Sequence, residues 1–249
     1  RSLSKKEKVK VPMPRKDLEL ETLAEIISGE RFITCHSYSQ SEINMLMHVA
    51  DSMGFKVNTF THILEGYKVA DKMKEHGVGA STFSDWWAYK FEVNDAIPYN
   101  GAILNEMGVV TAYNSDDAEM ARRLNQEAAK AVKYGGVSEE DAFKMVTLNP
   151  AILLHLDKRM GSIKVGKDAD IVLWTDNPLS VYAKVKQTYV DGICLYDSKK
   201  DLILREVIKK ERARLVQKMI KEKEGGGKTQ KPANIHEEIY KCGSNRKGL

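Results

Sequence analysis

A chain of 249 residues with 42% hydrophobic and 30% charged content can bury a sizeable core and has the composition of a folded globular protein. The net charge of +4 is small and collects at the two ends, where no aromatic residues interleave the lysines, so it reads as solvated tails and not as a nucleic-acid site. No run approaches the roughly 20 apolar residues of a membrane span, no signal peptide is visible, and Cys35, Cys194 and Cys242 form neither a disulfide framework nor a zinc ribbon.

Residues 1–16 are polar, basic and proline-punctuated, which predicts a linker or extended arm. Helical periodicity follows over 17–28, with Leu18, Leu20, Leu23, Ile26 and Ile27 on one broad face and Gly29 as its stop. Residues 31–35 form a short β-rich run that ends in His36. An amphipathic helix is expected over 41–53, capped by Ser39 or Ser41 and closed by Gly54. The pattern repeats with a β-rich run over 56–61 ending in His62, a helix over 65–76, and a strand over 78–83 leading into the aromatic segment 85–91. A helix over 97–107, a strand over 109–113 ending at Asn114-Ser115-Asp116-Asp117, and one long helix over 118–134 complete the series. Strands alternating with helices of this length predict a parallel α/β sheet, and four such units are half of an eightfold barrel.

The character then changes. Ser138 with Asp141 three residues on opens a helix over 138–147 that Asn149-Pro150 interrupts. Short strands are expected over 161–165, 169–174 and 186–191, with Asp191-Gly192 as a hairpin turn into 193–196. A charged helix spans 201–224, and 225–249 reads as a disordered basic tail.

At the C-terminal end of a parallel α/β barrel, side chains from successive strands converge on one face. Three strand ends here carry His36, His62 and Asp116, ligand types of a zinc-type site that keeps an open position for water. A lone His at a strand end is more often structural; two of them and an Asp, each at the same point of its own unit, are harder to dismiss. Tyr38, Glu65, Tyr67 and Lys68 follow the strand ends closely enough to face a substrate, and Trp86, Trp87 and Tyr89 either line an apolar pocket or pack under a loop. Cys35 should point away from His36, and His48, His76 and His155 read as structural or exposed.

The segment Thr147-Leu148-Asn149-Pro150-Ala151, followed by Gly161-Ser162-Ile163-Lys164-Val165-Gly166-Lys167-Asp168-Ala169-Asp170-Ile171-Val172-Leu173-Trp174, resembles the closing signature of the amidohydrolase superfamily. The likeness is to its imidazolonepropionase-like and prolidase-like branch. With the barrel units before it, the resemblance covers about residues 17 to 196. It implies an α/β fold: strands 5 to 8 of a metal-dependent-hydrolase (β/α)8 TIM-type barrel over 17–150, then part of a small β-sandwich over 151–200. It also implies that His36 and His62 ligate a divalent metal, zinc by its chemistry, and that Asp116 binds metal and takes the proton of the attacking water. Asp117 competes for that last role, and it or Glu119 otherwise serves beside it or at the helix N-terminus.

The family also uses an early His-x-His pair, and no His precedes His36 in this sequence. The expectation is therefore that a partner closes the site, either an N-terminal chain of the same enzyme or another copy of this chain. Neither nucleic acid nor a membrane span is expected as a partner. The implied activity is hydrolysis of the C–N bond of a small molecule (amide, cyclic amide or peptide-like), with a non-catalytic structural or binding fragment as the alternative. The first residue is Arg1, consistent with a fragment or processed chain, so localisation stays open and includes export to the periplasm or cell envelope.

Overall fold

A computed structural model describes residues 15–86, 90–228 and 230. Helix α1, Leu18–Ser28, is opened by the Asp17 carboxylate, which accepts from the amides of Glu19 and Leu20, and closed by Gly29 in the left-handed region. Its apolar residues Leu18, Leu20, Leu23 and Ile27 remain more than half exposed. The predicted amphipathic stripe is present, but no residue of this helix is buried.

Four strands follow: β1 (Ile33–His36), β2 (Val57–Thr61), β3 (Gly79–Thr82) and β4 (Thr111–Tyr113). They form a parallel sheet in the order β1-β2-β3-β4. Between them lie α2 (Gln40–Met53), a 3-10 turn over Gly66–Val69 that runs into α3 (Ala70–His76), and α4 (Asn100–Glu106). The sheet register sorts the side chains onto two faces. Cys35, Phe60, Ala80 and Thr111 stand side by side across the strands, and so do His36, Thr61, Ser81 and Ala112. The first row turns toward the helices, where Phe60 and Ala80 join Ile43, Met47, Ala50, Val57, Met73 and Leu104 in the main core and Cys35 packs against it. The second row, polar or small throughout, looks to the opposite face. β1 and β4 remain the edges of the sheet, so the described residues form an open parallel sheet and not a closed barrel.

After β4 come α5 (Ala118–Ala121), α6 (Leu124–Gly135), α7 (Glu139–Lys144) and α8 (Leu148–Leu153). The single helix expected over 118–134 is two, because Arg123 leaves the helical region (φ −130, ψ 26) while its Nε bonds the Glu119 carbonyl. The helix expected over 97–107 starts only at Asn100, as Pro98 disfavours helical backbone at the residue before it. Ser39 occupies the N-cap of α2 but makes no side-chain cap bond; its hydroxyl pairs with that of Ser41 instead. Ser138 does cap its helix, its Oγ accepting from the Asp141 amide, while the Asp141 carboxylate accepts from the Ser138 hydroxyl.

A second sheet, antiparallel in the order β5-β6-β7, comprises Ile171–Trp174, Val185–Val190 and Ile193–Asp197. Its hairpin turns at Asp191 and Gly192, both at positive φ (50° and 78°), as a two-residue type I′ turn requires. The strand expected over 161–165 is a loop: Ile163 and Val165 are exposed, and Gly166 at φ 89° reverses the chain. The loop before β6 rests on the α/β layer, where Asn125 donates to the Pro178 carbonyl (2.6 Å) and Asn177 to Glu139 (2.9 Å). The last helix, α9, runs over Ser198–Glu224 from an Asp197 cap, earlier than its charged pattern suggested, and buries none of its residues. Among the described residues no helix is long and apolar enough to cross a membrane. The expected arm and tail lie mostly outside the described residues, as do Trp87, Tyr89 and Cys242.

Candidate metal centre

β1 ends at His36 and β2 at Thr61, so their parallel pairing carries His36 and His62 to the same end of the sheet. The two imidazole rings lie 4.5 Å apart, nearly perpendicular. Asp116, on the loop after β4, reaches across with its Oδ1 3.3 Å from His62 Nε2. The three strand-end residues singled out from spacing thus converge.

His62 is the most constrained of them. Its backbone sits at φ 64°, a left-handed conformation that costs a non-glycine residue roughly 1–2 kcal/mol and that recurs at functional sites. The residue is buried, its ring lies 4.8 Å from Phe83, and its Nδ1 is a buried polar atom with no partner among the described residues. Burial pushes the imidazole pKa below its ordinary value; the Asp116 carboxylate opposes that, while His36 and Lys90 add to it. A metal shared with Asp116 would meet the ring at Nε2, the nitrogen that faces that carboxylate.

Asp116 and Asp117 divide the work between them. Asp117 accepts from the amides of Glu119 (2.8 Å) and Met120 (3.0 Å) and so caps α5, while Asp116 faces His62. Asp117→Ala is therefore expected to cost about 1 kcal/mol of stability through the lost cap. Denaturant titration checks this, and zinc uptake should stay at the parent level. A matching loss of zinc would reverse the assignment of the two carboxylates.

The other predicted site residues separate into two groups. Tyr38 stands edge-on to His36 at 4.8 Å and 6.0 Å from His62, with Lys90 Nζ donating to its hydroxyl (3.0 Å). Trp86 stacks on Phe83 at 4.3 Å and so backs the surface that His62 rests on. Glu65, Tyr67 and Lys68 instead engage their own neighbourhood. Glu65 accepts from the Gln40 amide (2.9 Å), Lys68 pairs with Asp95 (2.5 Å), and Tyr67 donates to the Asp95 carbonyl (2.9 Å). Cys35 lies half-buried on the helix side, its thiol pKa raised by burial. His76 is structural: one ring nitrogen accepts from the Val57 amide and the other pairs with Asp51.

Two polar features escaped the sequence reading. Lys130 bridges Asp85 (2.8 Å) and Glu127 (2.9 Å), and the Glu127 carboxylate also receives the buried Ser84 hydroxyl. Tyr113 nearby has a buried hydroxyl without a partner, and its phenol pKa is driven up by burial, with Glu127 and Asp85 adding to it. The i,i+3 spacing of Glu127 and Lys130 was the available signal. The second is Asn100, fully buried at the start of α4.

The donor set of two imidazoles and a carboxylate fits a divalent metal in kind but not yet in number. Among the described residues no group of three or more His, Cys, Asp or Glu side chains is arranged to hold an ion.

Known proteins resemble the chain in sequence and in fold. The model of the amidohydrolase family matches residues 92–194. The amidohydrolase TasK of Hapsidospora irregularis is 31% identical over 73% of this chain and 19% of its own length. The imidazolonepropionase of Thermoplasma volcanium is 27% identical over 66% of this chain and 42% of its own. Among solved structures, an amidohydrolase from Thermotoga maritima superposes with a TM-score of 0.68 at 27% identity, covering 77% of this chain and 50% of that one. The chain thus spans half or less of the length of each of these three proteins.

Proposed function

We infer, for a chain whose residues 92–194 are amidohydrolase-family sequence, that it supplies one part of the active site of a metal-dependent hydrolase acting on the C–N bond of a small amide, cyclic amide or peptide-like substrate. The observation that carries this reading is the convergence of His36, His62 and Asp116 at one end of a parallel sheet.

In this reading His36 and His62 would hold the metal through imidazole nitrogens, and Asp116 sits where a carboxylate can orient and deprotonate a water. A bound divalent metal, zinc by the chemistry of these ligands, would lower the pKa of that water toward about 7. Asp116 then holds the proton and delivers it to the leaving nitrogen. Tyr38 and Trp86 border the same space, with Phe83 buried behind Trp86, and their rings would contact the substrate and thin the water around it. Tyr67 and Lys68 would shape the rim through Asp95, and Glu65 through Lys68 and the Gln40 amide. The open sheet edges at β1 and β4 and the exposed face of α1 support a partner, either an N-terminal chain of the same enzyme or another copy of this one, that completes the ligand set.

Metal analysis of the purified chain, alone and with its candidate N-terminal partner, tests the reading. Stoichiometric zinc that disappears in His62→Ala is the expected result; no metal in either form sinks it. The incomplete three-residue grouping favours a second reading, a non-catalytic fragment that keeps the fold. Metal-free protein in both preparations is what that alternative requires.

A further inference from the structure

The left-handed turn at His62 is short of local support. Thr61 is the last residue of β2, and the turn's own bonds are Leu64 N to the His62 carbonyl (2.6 Å) and Gly66 N to the Ile63 carbonyl (3.0 Å). Backbone bonds from the β1 side flank it, Ser37 N to the Thr61 carbonyl (3.1 Å) and Glu65 N to the Tyr38 carbonyl (3.2 Å), and a buried side chain from a distant element adds to them. Asn100, at 0% exposure, donates from Nδ2 to the Ile63 carbonyl (2.9 Å) and to Thr82 Oγ1 (2.9 Å), and its Oδ1 accepts from the Tyr67 amide (2.8 Å). Both carboxamide hydrogens and the oxygen are engaged, a pattern that Asp, which lacks the donors, cannot reproduce.

The placement of the two acceptors is specific to His62. Ile63 directly follows it, and Thr82 directly precedes Phe83, the ring against which the His62 imidazole packs at 4.8 Å. One carboxamide therefore fixes the backbone on one side of His62 and the aromatic surface on the other. Gly66 adds to the constraint, since a Cβ there would stand 2.8 Å from Ile63 Cδ1.

We propose that Asn100 is the positioning residue for His62: it touches none of the candidate ligands, yet it sets the orientation of the imidazole and through it the metal affinity of the site. The inference rests on the metal-site reading above, but its structural half stands apart from it. Ligand orientation by an outer hydrogen bond is worth about 10- to 100-fold in metal affinity, so this side chain is expected to matter on that scale.

The test uses the full chain. Zinc affinity is measured by competition with a chromophoric chelator, and the ring orientation by the nitrogen resonances of the His62 imidazole. Asn100→Asp is expected to weaken zinc by about tenfold or more and to shift the His62 ring resonances. Thr82→Val, which removes one acceptor only, should do so to a smaller degree, and it decides the matter if Asn100→Asp fails to fold. The control is Asn58→Ala, at the far end of β2, where the side chain bonds the Leu153 carbonyl and His155. It should lower stability and leave zinc affinity and the His62 resonances in place. Unchanged affinity and resonances in folded Thr82 and Asn100 variants overturn the proposal, and so does an equal effect from Asn58→Ala. If neither the parent chain nor its complex with the N-terminal partner takes up zinc, the metal reading fails, and the His62 resonances alone decide the role of Asn100.

Discussion

Asp116→Asn is expected to lower kcat of the assembled enzyme by about 10²- to 10⁴-fold, the range that a positioned general acid–base group supplies. The substitution keeps the shape and one oxygen of the side chain, so it removes mainly the capacity to accept and return a proton. Asp116 lies 3.3 Å from His62 Nε2 and its side chain keeps 35% exposure, close to the candidate ligand yet open to an incoming water. Asp117 cannot substitute while its Oδ1 caps α5. Steady-state kinetics across a pH series provide the check. A kcat within threefold of the parent would remove Asp116 from the chemistry.

The largest effect on folding is expected from Phe60→Ala. Phe60 is fully buried on the helix-facing row of the sheet, in contact with the core that Ile43, Met47, Met73 and Leu104 build. Truncating a buried Phe typically costs 3–5 kcal/mol, against a total of about 5–15 kcal/mol for a whole domain. A sheet open at both edges has little to spare, so most of the cooperative transition should be lost. Urea unfolding followed by circular dichroism measures it, with Phe91→Ala, at 93% exposure, as the comparison expected to stay within about 0.5 kcal/mol. Equal midpoints for the two variants would show that the core lies elsewhere.

How much of this was legible in the sequence depended on the range of the interactions involved. Strand–helix alternation and the glycines after α1, α2 and α3 are local signals, and the four strands lie within a few residues of where they were expected. The identity of the convergent residues was equally readable, because parallel pairing puts equivalent strand ends side by side. The break at Arg122-Arg123 was not legible: both residues suit a helix, and the backbone turns out of it at Arg123 through local bonds that the residue types do not announce. Residues 161–165 have a strand's composition, but no neighbouring strand pairs with them among the described residues. The left-handed backbone of His62 and the function of Asn100 leave no mark in the sequence, since the bonds involved join positions 18 to 37 residues apart.

The order β1-β2-β3-β4 also has a consequence for how the molecule is made. Consecutive strands pair along the chain, so each new pairing closes only one crossover connection and the sheet can extend one edge at a time. Such a sheet is suited to assembling progressively during synthesis, each strand docking on the one already formed. In the proposed assembly, His36, His62 and Asp116 would thus be gathered before any complementary surface arrives.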